Sequence, residues 1–248
     1  AVSEEMLAGA AKFLKDRLVL AAANLRFAGQ RERNVRGWML FALARLQPTA
    51  IKDTPKVVSV LDNLYAERDE LSDYGRALLA ITLAELGQVD RARTVVENLE
   101  NTAQEDLEAA TVCWARKGGW WYWWHDDVET TAMALRALLR TLPEHRYVNM
   151  AANWLVQNRR GSKWYSTKQT ALAIYALLEY AKRGDQLVPD MKVNIALDDL
   201  VSKTVRITKV NLLDHDARLA LAGQEVPVGF HELSVERQGK GLLDTAGT

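Results

Sequence analysis

Trp38-Met39-Leu40-Phe41-Ala42-Leu43-Ala44-Arg45-Leu46 decides the fold, because the chain repeats it in kind three more times. It returns as Ala77-Leu78-Leu79-Ala80-Ile81-Thr82-Leu83-Ala84-Glu85-Leu86, as Ala132-Met133-Ala134-Leu135-Arg136-Ala137-Leu138-Leu139, and as Ala171-Leu172-Ala173-Ile174-Tyr175-Ala176-Leu177-Leu178. Each copy is Ala/Leu-rich and apolar nearly all the way round, and such a helix is buried on most sides. More polar helical stretches separate the copies. Alternating inner and outer helices predict an array of helical hairpins, which buries a core only by stacking neighbours.

Working outward, 4–18 reads as a helix with Leu7, Ala11, Leu14 and Leu18 on one face, and the polar stretch 26–34 reads as a loop. The first inner helix then runs 35–46 and is stopped by Pro48. Thr54 and Pro55 are the N-cap and first residue of an outer helix with a Val57, Val60, Leu61, Leu64 stripe. Ser72 opens the second inner helix, and Gly87 ends it in a left-handed position. Residues 89–99 form an outer helix that turns Ala92, Val95, Val96 and Leu99 inward. Asp126 or Asp127 caps the third inner helix, with Glu129 completing a capping-box-like pair with Asp126. Residues 147–158 form another outer helix, 160–165 a loop, and Ser166 with Gln169 a second capping box before the fourth inner helix.

Between these lies an interruption with β character. Residues 110–114 and the aromatic run Trp120-Trp121-Tyr122-Trp123-Trp124 read as two strands joined at Lys117-Gly118-Gly119, a hairpin. In a strand Trp121 and Trp123 face one side, and Trp120, Tyr122 and Trp124 the other. These five are candidate docking or shielding aromatics. A ligand platform for a sugar or a quaternary ammonium is the alternative, and rim-covering core aromatics the plainest reading.

After Gly184 the apolar period changes from 3.6 to 2: Val193, Ile195 and Leu197, then Val205 and Ile207, Leu219 and Leu221, Leu233 and Val235. Gly223, Pro227, Gly229 and Gly239 punctuate them. The fold class is therefore mainly α with a C-terminal β module of antiparallel strands, divided as 1–185 and 186–248. About four short strands make a meagre sandwich, so the module is expected to be incomplete or to lean on the helices.

Lys+Arg and Asp+Glu both number 32, so the formal charge is zero, which argues against a general nucleic-acid binder. No apolar run approaches the roughly 20 residues of a membrane-spanning helix. The chain begins at Ala1 without Met and is expected to be cut from a longer protein. Cys113 is the single cysteine, so intramolecular disulfides are impossible. It reads as a buried small hydrophobe, with a reactive thiol as the alternative. His125, Asp126, Asp127 and Glu129 suggest a metal or acid/base cluster, but helix capping accounts for Asp126 and Glu129. No metal, cofactor or catalytic residue is assigned.

Two segments carry a family resemblance: Val128-Glu129-Thr130-Thr131-Ala132-Met133-Ala134-Leu135-Arg136-Ala137-Leu138-Leu139, and Trp154-Leu155-Val156-Gln157-Asn158-Arg159-Arg160-Gly161-Ser162-Lys163-Trp164-Tyr165-Ser166-Thr167-Lys168-Gln169-Thr170-Ala171. Together they resemble the later helical pairs of the thioester domain of α2-macroglobulins and complement proteins. The resemblance implies a partial α/α toroid, here four hairpins of the family's six, followed by part of a CUB-type β domain with a Gly-rich strand near Glu236-Arg237-Gln238-Gly239-Lys240-Gly241. The family's reactive Cys-Gly-Glu-Gln does not occur in this sequence, and Cys113 is followed by Trp114-Ala115-Arg116. The implied function is proteinase entrapment by the full-length parent, with this piece as scaffold and shielding surface and no enzyme activity of its own. Implied partners are proteinases and other domains of the same chain, with no nucleic acid and no small-molecule cofactor. The implied location is periplasmic or extracellular, with membrane anchoring through a preceding part of the parent.

Two other classes remain open. One is an α/α-toroid enzyme of the terpenoid cyclase or prenyltransferase type: Gln157, Gly161 and Trp164 resemble the Gln/Trp repeats of triterpene cyclases, although an Asp-x-Asp-Asp motif and a prenyltransferase-like Cys/His/Asp zinc set are missing. A helical-repeat interaction module without chemistry is the third.

Overall fold

The structure is a computed structural model that describes residues 3–27, 29–114, 126–161, 163–183, 190–198, 200–208 and 226–240. The chain divides into two compact units, Ala1–Tyr180 and Ala181–Thr248.

In the first unit α1 (Glu4–Ala21) starts at Ser3, whose hydroxyl accepts the Met6 amide at 3.3 Å. A 3₁₀ stretch, Ala22–Phe27, leads to α2 (Gln30–Leu46), the first inner helix. Helix α2 begins five residues before the expected start, so part of the supposed loop is helical. Its polar first turns lack an apolar period because their partners are distant: Arg33 reaches Glu67 at 2.7 Å, and Asn34 Oδ1 accepts from Ser72 at 3.3 and 3.2 Å. Pro48 stops α2 but also opens α3 (Pro48–Lys52), where its missing N–H is no loss at a first helical position. Outer helix α4 (Pro55–Ala66) follows with Val57, Val60, Leu61 and Leu64 buried. Thr54 sits at its N-cap without a side-chain hydrogen bond, so Pro55 carries that start.

Helix α5 (Asp73–Glu85) is capped by Ser72, which accepts the Gly75 amide at 3.1 Å, and Gly87 follows it at φ +82°. Outer helix α6 (Val89–Glu100) buries Ala92, Val95, Val96 and Leu99. Inner helix α7 (Asp127–Thr141) is capped by Asp126, and outer helix α8 (Arg146–Gln157) by His145. The capping box before α9 (Thr167–Arg183) is reciprocal: the Ser166 amide donates to Gln169 Oε1 and the Gln169 amide to Ser166 Oγ, both at 3.1 Å.

The inner helices α2, α5 and α7 pack side by side. Every residue from Ala77 to Leu83 in α5, and from Glu129 to Leu138 in α7, is buried. Helix α9 departs from all-round burial: Ala173, Ala176 and Tyr180 are inside, but Ile174, Leu178 and Tyr175 (61%) are exposed. An inner helix is enclosed only when neighbours flank both sides, and α7 lies on one side of α9. Each leucine or valine buried in this core contributes on the order of 1.5–3 kcal/mol.

Of the expected hairpin only its first strand falls among the described residues; the 120–124 strand and the 117–119 turn lie outside them. Strand β2 (Thr111–Cys113) pairs antiparallel with β1 (Gln104–Asp106), Gln104 opposite Cys113. Gln104-Glu105-Asp106 has no strand signature in its sequence. Its neighbours supply the reason, since Glu105 accepts from Arg146 Nη2 at 2.7 Å and from the Tyr147 hydroxyl.

In the second unit β3 (Asp190–Leu197) is central, with β4 (Val201–Thr208) and β5 (Leu233–Lys240) antiparallel on either side. The register sets Asp190 opposite Thr208 and Lys240, and Leu197 opposite Val201 and Leu233. Gly239, at φ +117°, crosses so close to Asp190 that a Cβ would collide with its carbonyl. Met191 and Val205 are buried, whereas Leu233 and Val235 are exposed, so period 2 marks the strands without burying every apolar face. The expected strand at Leu219 and Leu221 lies outside the described residues.

Candidate functional site

The N-terminal ends of α5 and α7 meet the 68–73 corner and Trp114 in a polar cleft of about 280 Å³. Arg76 fastens the corner by donating to the carbonyls of Arg68 (3.2 Å) and Asp69 (2.9 Å) and to Asp73 Oδ1 (2.8 Å). Asp73 also accepts from the Thr102 hydroxyl at 2.8 Å. Trp114 is buried, donating its indole N–H to the Leu99 carbonyl at 2.8 Å and its amide to Thr131 Oγ1 at 3.2 Å.

Beside this cleft four inner helices contribute one side chain each to a cluster: Trp38 from α2, Tyr74 from α5, Glu129 from α7 and Lys168 from α9. Tyr74 is buried, its ring 6.1 Å from that of Trp38 and 5.9 Å from Lys168 Nζ. Burial, then the nearby Glu129 charge, pushes the Tyr74 hydroxyl well above the ordinary phenol range. Glu129 is buried too, and its carboxylate meets Lys168 Nζ at 2.6 Å. Burial raises its pKa, with Lys168 opposing. The expected capping-box role of Glu129 is therefore replaced by an interhelix ion pair. The side chain is turned inward, and Asp126 alone caps α7 by accepting from the Val128 amide at 2.8 Å.

At the opposite ends of the same helices runs a ladder of alternating charge. Arg45 of α2 meets Glu85 of α5 at 3.4 Å, Glu85 meets Arg140 of α7 at 3.5 Å, and Arg140 meets Glu179 of α9 at 2.7 Å. Arg136, nearly buried, also reaches Glu179 at 2.9 Å. Burial alone would raise the Glu179 pKa, but hydrogen bonds from Arg140 and Arg136 hold it below the ordinary value. Both the cluster and the ladder bind helices to one another. Neither sets a nucleophile against a base. Among the described residues no three His, Cys, Asp or Glu side chains are placed to hold a metal ion.

The candidates read from sequence fall as follows. Trp120, Trp121, Tyr122, Trp123 and Trp124 lie outside the described residues, as does His125. Cys113 is half-buried at the end of β2, so it is less enclosed than a core residue. Trp164 is buried, donating its indole N–H to the Leu155 carbonyl at 3.0 Å, and Gln157 is exposed. Trp164 thus plugs the space between α8 and α9, while Gln157 faces away from it. Lys168, Glu179, Asn34 and Arg36 stand outside every motif in the sequence that points to a site. Lys168 sits inside a capping signature, Asn34 and Glu179 meet partners 38 and 39 residues away, and Arg36 pairs with Glu32 one turn back on the same helix.

A family model, the A-macroglobulin TED domain, matches residues 34–180. The chain belongs to the α2-macroglobulin family. The match runs from the first turns of α2 to Tyr180 in α9, so the thioester-domain region of this α2-macroglobulin-like chain holds all four inner helices, the cluster and the ladder. An α2-macroglobulin homolog of Nostoc sp. (strain PCC 7120 / SAG 25.82 / UTEX 2576) is 22% identical over 185 residues, which are 74% of this chain and 9% of that protein. The chain thus spans less than a tenth of the length of the curated relative it matches.

Proposed function

We propose that this chain is the later part of the thioester domain of an α2-macroglobulin-type proteinase trap, and that it acts there as scaffold and shielding surface. The family match over residues 34–180 carries the reading. In this reading the four inner helices form an arc of an α/α toroid, and the strands after α9 begin a CUB-type domain. A protected acyl group must be kept from water until a conformational change exposes it, and rigid packed helices suit that task. The trap would act on proteinases through the full-length parent, in the periplasm or outside the cell, anchored to a membrane by a preceding segment. In this reading the chain contributes no covalent trap of its own, because Cys-Gly-Glu-Gln does not occur in it.

The test compares this 248-residue chain with its parent. Each is incubated with a proteinase, and cleavage of a large protein substrate and formation of denaturant-resistant adducts are measured. The parent should suppress cleavage of the large substrate and spare a small chromogenic one. The isolated chain should do neither. Inhibition or covalent capture by the chain alone, or an inert parent, refutes the proposal.

A further inference from the structure

A histidine clamp in the second unit has a geometry that one protonation state alone satisfies. Asp198 opens the β3–β4 turn with a left-handed backbone, φ 45°. Its Oδ2 lies 2.6 Å from His231 Nδ1, and its Oδ1 accepts the Glu232 amide at 2.6 Å. The Asp198 amide in turn donates to the Glu232 carbonyl at 2.9 Å. The other ring nitrogen, His231 Nε2, lies 2.7 Å from the Pro227 carbonyl. Both nitrogens therefore face oxygens that can only accept. A neutral imidazole has one N–H and one lone pair, whereas an imidazolium donates from both.

Between the two anchors of the clamp lie Val228, Gly229 and Phe230. Val228 and Phe230 are completely exposed, which is unusual for two large apolar side chains on one short loop. Among the described residues Asp198 is the charged side chain acting on His231; Glu232, next in the chain, contributes its backbone to Asp198.

We infer that His231 is a protonation switch: its imidazolium staples the 227–231 loop to the β3–β4 turn, and loss of the proton releases the Pro227 side and changes how Val228 and Phe230 are presented. Deprotonation leaves the single N–H on Nδ1, where the Asp198 carboxylate is the stronger acceptor. The Nε2 lone pair then faces the Pro227 oxygen at a repulsive distance. The direction is consistent with the neighbours: Asp198 and then the Pro227 carbonyl raise the His231 pKa above its ordinary 6.5, and the Glu232 amide followed by His231 lowers that of Asp198. A histidine whose folded pKa is raised keeps its bonds below the ordinary value and loses them as pH climbs through the raised one. The switch thus works above the ordinary histidine value. It lies beyond the residues of the family match and does not depend on the proposed trap.

The test is an NMR titration of the full chain, following the His231 ring, the Val228 methyls and the Phe230 ring. His231 should titrate above 6.5, and the Val228 and Phe230 signals should move with the same midpoint. Asp198→Asn, which removes the first-named cause of the raised pKa, should lower that midpoint. His231→Gln, which keeps one donor, should leave the amide signals of β3–β5 in place and abolish the titration of Val228 and Phe230. A His231 midpoint at or below the ordinary value overturns the inference. So do loop signals that stay flat through the His231 titration, or that still titrate in His231→Gln.

Discussion

Replacing Glu179 by Ala removes the carboxylate on which two arginines of α7 converge. In the wild type it accepts from Arg136 Nε and Nη2 at 3.1 and 2.9 Å, and from Arg140 Nη1 and Nη2 at 2.7 and 3.2 Å. The Arg136 side chain is 8% exposed and that of Arg140 22%. Breaking a buried pair by deleting one partner costs about 3–5 kcal/mol, because the surviving charge is stranded. Two features reduce that figure. Glu179 is 29% exposed, so water reaches its place, and Arg140 keeps the Arg136 carbonyl at 2.9 Å and Glu85 at 3.5 Å. A loss of about 2–4 kcal/mol follows, read as a fall in urea midpoint at unchanged slope. The comparison is Asp62→Ala at the Arg91–Asp62 pair, where Asp62 is 54% exposed and the loss should stay under about 1 kcal/mol. The pH dependence supplies a second check. The Glu179 pKa is lowered in the fold, so its contribution is present above the ordinary carboxylate value and disappears as pH falls through the lowered one. The gap between wild type and variant should close on acidification. Equal losses from Glu179→Ala and Asp62→Ala, or a gap that persists in acid, would refute the reasoning.

Two further outcomes are expected. Gly75→Ala should destabilise by about 1–3 kcal/mol, because the new Cβ would meet Asn34 Oδ1 while Ser72 holds that oxygen in place; Asn34→Ala in the same chain should recover part of the loss, and a Gly75→Ala variant with an unchanged urea midpoint contradicts the close approach of α2 and α5. Glu129 is the acidic counter-case: its pKa is raised by burial, so its contribution to stability grows as pH falls through the raised value toward the ordinary one. Glu129→Gln should remove that component from the variant's stability–pH curve, so that wild type gains on the variant as pH falls, with stability near pH 7 little changed; a variant curve parallel to wild type would contradict it.

What could be read ahead of the structure was local. Ser72, Asp126 and the Ser166/Gln169 box act within three residues of themselves, and their roles as caps stand. The stripes of α4 and α6 emerge at helical spacing for the same reason. The polar first turns of α2 could not be read that way, since Arg33 and Asn34 are tied to Glu67 and Ser72, 34 and 38 residues on. Strand β1 has no β-forming residues and exists through its partner and through Arg146 and Tyr147. Glu129 looked like a cap because its spacing from Asp126 allowed one, and burial beside Lys168 directed it elsewhere. The ladder from Arg45 to Glu179 joins residues whose sequence separations, 40, 55 and 39, leave no trace in any local pattern.

The sequence by itself determined the main helices, their inner and outer layers and the change from α to β. Those follow from apolar periodicity and from caps and breakers that act over one helical turn. Only the tertiary structure decided which charges pair, which inner helix keeps an exposed flank and where His231 finds both acceptors. Each of those is settled by the direction and solvation of side chains brought together from distant segments, and a one-dimensional pattern carries no such distances.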